Sequence, residues 1–393
     1  MAFFGNGAIN RLNLHTSVQT FAQAGGGVFF FAFLLAAGVP AHWALAAEAA
    51  VVAGRFVLRP AILPLARRLG LKPLLVGGVL AMGLQYPLLA QVDGVGRQLA
   101  LLAATRCLAE VVYWVSYNAY FASVGDAEHR GHQISAREAA VAVASVVAPL
   151  VGAAALVAAG PGWMFAGVGL VQALSVLPLL GAPNVPVRAE ASGVLRAARL
   201  TMALNALDGW IDSFFFYVWQ IVLFVTLAQS FSAYGGAMAL AGLAGAAFGL
   251  ALGRHVDLGG GRRAATIAYS AMGLVVLARA AAAGFPAMAV LANAAGPVAI
   301  ALLAPAVGVP NSNLVKASPC ALRATIANEG AWDIGCFAAC LTAAAIAGSG
   351  APLAPSILLA LPAIALTAVL LRRYYGGLEL AAATPPRSEA LKP

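Results

Sequence analysis

Two carboxylates four residues apart, Asp208 and Asp212, lie inside the apolar run RLTMALNALDGWIDSFFFYVWQIVLF that begins at Arg199. Residues four apart share a helix face, and a helix of that length crosses the roughly 30 Å hydrocarbon layer of a bilayer. If Arg199 marks the membrane surface, Asp208 sits about 13 Å deep at 1.5 Å per residue. Charge at that depth costs about 2.5 to 3.5 kcal/mol per residue on insertion scales, so it persists only against a wet cavity or a partner. Two like charges one turn apart cannot both ionise cheaply there, so one of the pair is expected to pick up a proton near neutrality. The chemistry this spacing predicts is reversible proton binding along a polar pathway, with Asn205 and Trp210 in the same run.

Further clusters repeat the pattern. Arg106 and Glu110 stand one turn apart, with Tyr113, Trp114, Tyr117 and Asn118 continuing beyond them. Such a pair either neutralises itself as an i, i+4 ion pair or lets one partner exchange with a solute or a proton. Glu329 and Asp333 repeat the spacing and can be read as structural or functional. Glu48 adds another deep carboxylate, and His15, Gln19 and Gln23 follow helical spacing in the first apolar run. His15 is read as a histidine of the cytoplasmic end rather than a proton carrier. Deep carboxylates at 48, 110, 208, 212, 329 and 333 outnumber deep arginines at 55 and 106, which favours a cationic or neutral solute over an anion. Tyr113, Trp114, Tyr117, Trp210, Phe214 and Phe215 could stack on an organic cation, although aromatic side chains in helices more often pack. Cys336 and Cys340 share a helix face, but no clustered His or further Cys accompanies them. They read, with Cys107 and Cys320, as small core residues, and neither a metal nor a cofactor is expected.

These positions sit in a chain of 393 residues that is 62% hydrophobic and 9% charged, where a soluble protein would carry about 25% charged residues. Mean hydropathy is +0.88, the composition of a polytopic membrane protein. The formal charge of +9 is spread over short loops and reads as topology, not as a nucleic-acid surface. A membrane enzyme is disfavoured, because there is no His-rich cluster, no G-x-S-x-G and no phosphate loop. Arg11, an apolar run and Ala44-Leu45-Ala46 imitate a cleaved signal peptide, but the segment is too long for one and the internal repeat needs it.

Hydropathy divides the chain into about twelve runs of spanning length: roughly 12–38, 42–65, 73–90, 98–123, 134–159, 163–180, 199–228, 233–253, 264–283, 287–315, 323–347 and 353–371. The Pro-containing stretch 183–195 is the best boundary. The expected organisation is a six-helix bundle over 1–182, a cytoplasmic linker over 183–198, a second six-helix bundle over 199–373 and a cytoplasmic tail over 374–393. With both ends inside, 19 of the 23 Lys and Arg residues fall on cytoplasmic segments, Arg59 among them. Arg97 and Arg279 fall outside, while Arg55 and Arg106 lie within spans, so both termini are expected in the cytoplasm. The halves also match: Arg11-Leu12 with Arg199-Leu200 at offset 188, Gly70 with Gly260 at 190, Arg130 with Arg323 at 193. Near-constant offsets about one boundary indicate two related six-helix repeats. The fifth and eighth runs are rich in Ala and Gly, which lets helices approach closely and slide.

In these features the sequence resembles the major facilitator superfamily, whose loop between the second and third helices reads roughly G-x-x-x-D-R-x-G-R-K, with a degenerate copy between the eighth and ninth. Here the second copy keeps Gly253, Asp257, Gly260, Arg262 and Arg263. The first keeps Arg68, Gly70 and Lys72 but has Leu63 for the glycine and Arg67 for the aspartate, which weakens the family's usual charge latch. The resemblance implies an all-α polytopic membrane protein of twelve transmembrane helices in two pseudo-symmetric six-helix bundles. It implies a central cavity lined by the first, fourth, seventh and tenth helices, and rocking between inward-open and outward-open forms. The expected function is a proton-coupled secondary transporter for a small solute, a monomer in the bacterial inner membrane with no nucleic-acid partner. The alternative is a receptor-like or assembly protein that has kept the fold without transporting. Each loop motif reads as a gating element or as a plain solvated turn.

Overall fold

The computed structural model describes residues 6–124, 130–187, 193–255, 261–316, 318 and 320–383. Asp257 and Gly260 lie outside the described residues. Among those described there is no strand, and twelve helices are long and apolar enough to span a bilayer. They are α1 Gly7–Ala36, α2 Ala41–Leu69, α3 Leu71–Leu89, α4 Arg97–Phe121, α5 Val141–Ala158 and α6 Gly160–Leu180 in the first half. The second half holds α7 Arg199–Thr226, α8 Phe231–Ala251, α9 Gly261–Ala282, α10 Pro286–Leu303, α11 Leu322–Gly348 and α12 Ala354–Gly377. Helices are the form such runs must take in lipid, where every backbone N–H and C=O has to be satisfied within its own segment. At the start of α1 the side chain of Asn6 accepts from the amides of Ala8 and Ile9, closing donors that a helix leaves open.

Packing in the halves is parallel. α1 lies on α5 and α6, α3 on α4 and α6, and α2 on α4; six positions later α7 lies on α11 and α12, α9 on α10 and α12, and α8 on α10. The two main contacts across the halves, α2 on α11 and α5 on α8, exchange under the same relation. The α5–α8 seam is closed by glycine: Gly235 faces the Pro149 carbonyl and the Ala153 methyl, and Gly242 faces the Ser145 backbone. Replacing Gly242 by Leu should therefore wedge the seam and cost about 1 to 3 kcal/mol, read as a lowered thermal midpoint of the purified protein. Gly236, where an added Cβ would meet nothing within 4 Å, is the control that should change little.

Repeat-related helices α1 and α7 are wound differently at one height. α1 gives way to a 3-10 turn over Gly27–Phe29, whereas α7 widens into a π turn over Ser213–Val218. Both then end alike: the amides of Gly38 and Val39 bond to Leu35 and Leu34, and those of Ala228 and Gln229 to Val225 and Phe224. The offset of 188 at Arg11 and Arg199 has thus become 190 (228 − 38) at Gly38 and Ala228. A tighter turn in one helix and a looser turn in the other absorb the two extra residues.

On the face opposite the two termini an aromatic plug joins the halves. Phe29 of α1 meets Phe231 and Tyr234 of α8 at ring distances of 6.3 and 5.7 Å, and Phe224 of α7 meets the same two rings at 5.2 and 5.6 Å. The Tyr234 hydroxyl donates to the Val28 carbonyl at 3.0 Å. On the face carrying the termini, the α2–α3 loop is pinned by the segment that follows α6. Asn184 accepts from the Lys72 amide at 3.1 Å and donates to the Leu69 carbonyl at 2.8 Å, and Lys72 Nζ donates to the Leu180 carbonyl at 2.6 Å. Gly70 has φ +82° and ψ 177°, a region essentially reserved for glycine, and Asn184 fills the space a Cβ would need. Gly70→Ala should cost about 1 to 3 kcal/mol and release this clasp, seen as faster proteolysis of the linker. Asn184→Ala should open the linker without the backbone strain.

Candidate functional site

The deep charges converge between the halves. Glu48, Arg55 and Arg59 fall at intervals of seven and four along α2, Arg106 and Glu110 one turn apart on α4, Glu329 and Asp333 one turn apart on α11. Helical spacing puts each set on one face, and the packing of α2 on both α4 and α11 brings the faces together. Arg55 holds Glu110 at 2.8 Å within the first half and Asp333 at 2.9 Å across to the second. Arg59 binds Glu329 at 3.2 Å and forks onto Asp333. Arg106 pairs with Glu110 at 2.8 Å and with Glu48, its guanidinium lying 4.2 Å from the Phe30 ring centre. Asn118 donates to Glu329 at 2.7 Å. Three guanidinium groups thus meet four carboxylates, a surplus of one negative charge.

This cluster changes three sequence expectations. Arg59, counted on a cytoplasmic segment, is 1% exposed and bridges the halves, because the 3-10 turn Arg59–Ala61 keeps it on the face of α2 that packs against α11. Arg106 and Glu110 form an internal pair, but each also holds a partner on α2. Glu329 and Asp333, the latter fully buried, belong to the contact between the two bundles.

Asp208 and Asp212 stand apart from the arginines of this cluster. Asp208 is exposed, and Asp212 is half-buried and accepts from Trp332 Nε1 at 3.2 Å. The same Trp332 ring lies 5.3 Å from the Arg55 guanidinium, so one indole touches both the carboxylate pair and the ionic cluster. The α7–α11 contact that sets this geometry is tight, with Gly209 against the Trp332 carbonyl and Gly335 against the Ala206 carbonyl. Asn205 donates to the Thr201 carbonyl of its own helix at 2.7 Å.

Of the aromatic side chains that could stack on a cation, most are packed, as aromatic residues in helices more often are. Trp210 turns toward α12 and donates to the Leu359 carbonyl at 2.8 Å. Phe214 and Phe215 are fully buried, and Phe215 lies under Arg279, whose guanidinium is 3.9 Å from its ring centre and 5.0 Å from that of Trp219. Arg279, expected on the outer surface, is 3% exposed and donates to the Phe215 carbonyl in the π turn of α7. Ring faces and a backbone carbonyl, rather than a carboxylate, accommodate this cation.

His15, Gln19, Tyr113 and Tyr117 form a second buried group between α1, α4 and α6. His15 is fully buried, not at a solvated helix end. Its Nδ1 lies 2.8 Å from the Ser175 carbonyl and its Nε2 3.0 Å from the Tyr113 hydroxyl, which also contacts Gln19 Oε1. Thr16 and Tyr117 hydroxyls meet at 3.0 Å, and the Tyr113 and Tyr117 rings stack at 5.6 Å. Gln23, one turn beyond Gln19, is half-buried. Arg68 and Arg262 are exposed, and Gly253 lies within the helix Phe231–His255. Sequence reasoning missed Arg59 and Trp332; the interval from Arg55 to Arg59 matches that of the acidic pairs and was the available signal.

No family model and no curated protein sequence matches the chain. Solved structures do. The human organic anion transporter MFSD10 (TETRAN) superposes with a TM-score of 0.64 over 93% of this chain and 99% of its own, at 16% identity. A POT family transporter in complex with 5-aminolevulinic acid gives a TM-score of 0.71 over 94% and 96%, at 8% identity. With twelve spanning helices packed as two related bundles, the chain has the fold of the major facilitator superfamily transporters.

Proposed function

We propose that this protein is a secondary active transporter that moves a small cationic or neutral solute across the bacterial inner membrane by alternating access, driven by protons, with both termini in the cytoplasm. The observation that carries the reading is the pair Asp208 and Asp212, two carboxylates at mid-depth set apart from the buried arginines and linked through Trp332 to an ionic contact between the halves. Buried ion pairs gain little over apolar packing, so four charged groups paired across the two bundles, Arg55 and Arg59 with Glu329 and Asp333, suit an interface that is broken and remade. A proton bound at Asp208 or Asp212 changes the charge next to that interface.

The solved neighbours differ in what their names attach to them, an organic anion in one and 5-aminolevulinic acid in the other. The cargo class is therefore taken from local charge, where Asp208 and Asp212 add to the acidic surplus of the cluster. Arg106, Glu110, Asn118, Glu329 and Asp333 would respond to cargo or proton, with Gln19, Gln23, Tyr113 and Tyr117 beside them. Arg68, Gly70, Lys72, Gly253, Asp257, Gly260 and Arg262 belong to loops that would move with the gates. The aromatic plug would close the periplasmic side while the cytoplasmic side admits cargo.

A thermal-shift screen of the purified protein against amines, sugars, amino acids, metals and drugs should yield a stabilising ligand. Flux of that ligand into proteoliposomes should then follow an imposed pH gradient and collapse with a protonophore. Ligand binding without flux would favour the receptor-like alternative.

A further inference from the structure

We infer that His15 is a second proton-binding site, whose charge is read out by the orientation of the Gln19 amide through the Tyr113 hydroxyl. The inference follows from donor and acceptor counting. The Ser175 carbonyl can only accept, so His15 Nδ1 must carry a hydrogen. The Tyr113 hydroxyl has a single hydrogen and two neighbours, His15 Nε2 and the Gln19 amide. If His15 is neutral, Nε2 accepts, Tyr113 donates to it, and Gln19 must offer its NH2 to the tyrosine oxygen. If His15 is protonated, Nε2 donates, and the tyrosine hydrogen turns to Gln19, which must offer its carbonyl oxygen. Gln19 Oε1 is the end that lies on Tyr113 here and Gln19 Nε2 is buried without a partner, so either end of the amide can serve the tyrosine without breaking another bond. The two charge states of the imidazole thus demand opposite orientations of one amide.

Among the described residues no salt bridge joins His15 to an acidic side chain. On α4 the ring faces Tyr113 and Tyr117, and Glu110, one turn from Tyr113, is already held by Arg55 and Arg106. α6 contributes the Ser175 carbonyl and has no charged residue, and the described side chains of α5 include none that titrates. Arg11 is one turn away on α1, with its guanidinium against Gly181. Gln172, three residues from Ser175 on α6, is fully buried with neither amide atom partnered in the protein. The seam therefore has polar capacity to spare.

The test is a pH titration of ring nitrogen signals in the 15N-histidine-labelled protein in nanodiscs, with the His15 signals identified by their loss in His15→Gln. The signals should pass from one protonated nitrogen to two as the pH is lowered from about 8 to about 4, the span that buried histidines cover. Gln19→Glu supplies only an acceptor and should move the transition to higher pH; Gln19→Leu removes the acceptor that the protonated state needs and should move it to lower pH. Each shift is expected to be up to about one pH unit, the scale of one neutral hydrogen bond gained or lost by the tyrosine. His15 signals that stay unchanged over this range, or shifts of the same sign in both variants, would overturn the inference. The measurement uses no cargo, so its failure is distinct from a failure to transport.

Discussion

Arg55→Gln should destabilise the protein by about 3 to 5 kcal/mol, the usual cost of stranding buried charges, while Asp333→Asn should cost clearly less. Arg55 is bonded to both halves through Glu110 and Asp333, and its side chain is 5% exposed. Removing it raises the surplus of the cluster from one negative charge to two. Removing the charge of Asp333 brings the surplus to zero and leaves Arg55 on Glu110 and Arg59 on Glu329. Thermal unfolding in detergent of the two single variants and of the double variant would measure this. Because the residues are in contact, the double variant should regain part of the loss as a coupling of about 0.5 to 3 kcal/mol. Equal losses in the single variants, or strict additivity, would show that the cluster is not governed by its charge balance.

The second large effect is on function. Asp208→Asn combined with Asp212→Asn should leave the fold intact, because an amide keeps the carboxylate's shape and its oxygen can still accept from Trp332. Flux driven by a pH gradient should fall to the level of empty vesicles, and binding of the cargo should no longer depend on pH. The ion pairs of the central cluster are untouched, so the thermal midpoint should not fall. Undiminished coupling in the double variant would move the proton site elsewhere, with the acidic surplus around Glu48 and Glu110 as the next place to look.

Local signals made the twelve spans legible in the sequence. Each is a long apolar run, and the repeat offsets tied the halves together before any contact was known. The placing of Asp208, Arg106 and Asp333 well inside their helices was legible as well. What contacts those residues did not, since Arg55 and Asp333 are 278 positions apart and nothing in either segment points to the other. Arg59 was misplaced because a residue next to a proline near the end of a run looks like a surface charge. Arg279 was misplaced because its acceptor is a backbone carbonyl, which has no signature in a side-chain pattern. The aromatics around Trp210 read equally well as cargo platform or core, and only the turn of α7 toward α12 separates the two readings.

The unequal winding of α1 and α7 bears on which length changes the chain can absorb. In a regular helix each residue added or removed turns everything beyond it by about 100°, which would carry Tyr217, Trp219 and Phe224 off their present neighbours. Excising one residue from Ser213–Val218 would instead let the wide turn relax to ordinary pitch with both flanks still facing as they do now. Helix α7 thus carries a built-in slack of sequence length, and a deletion there should be tolerated where the same deletion between Arg199 and Asp208 would not.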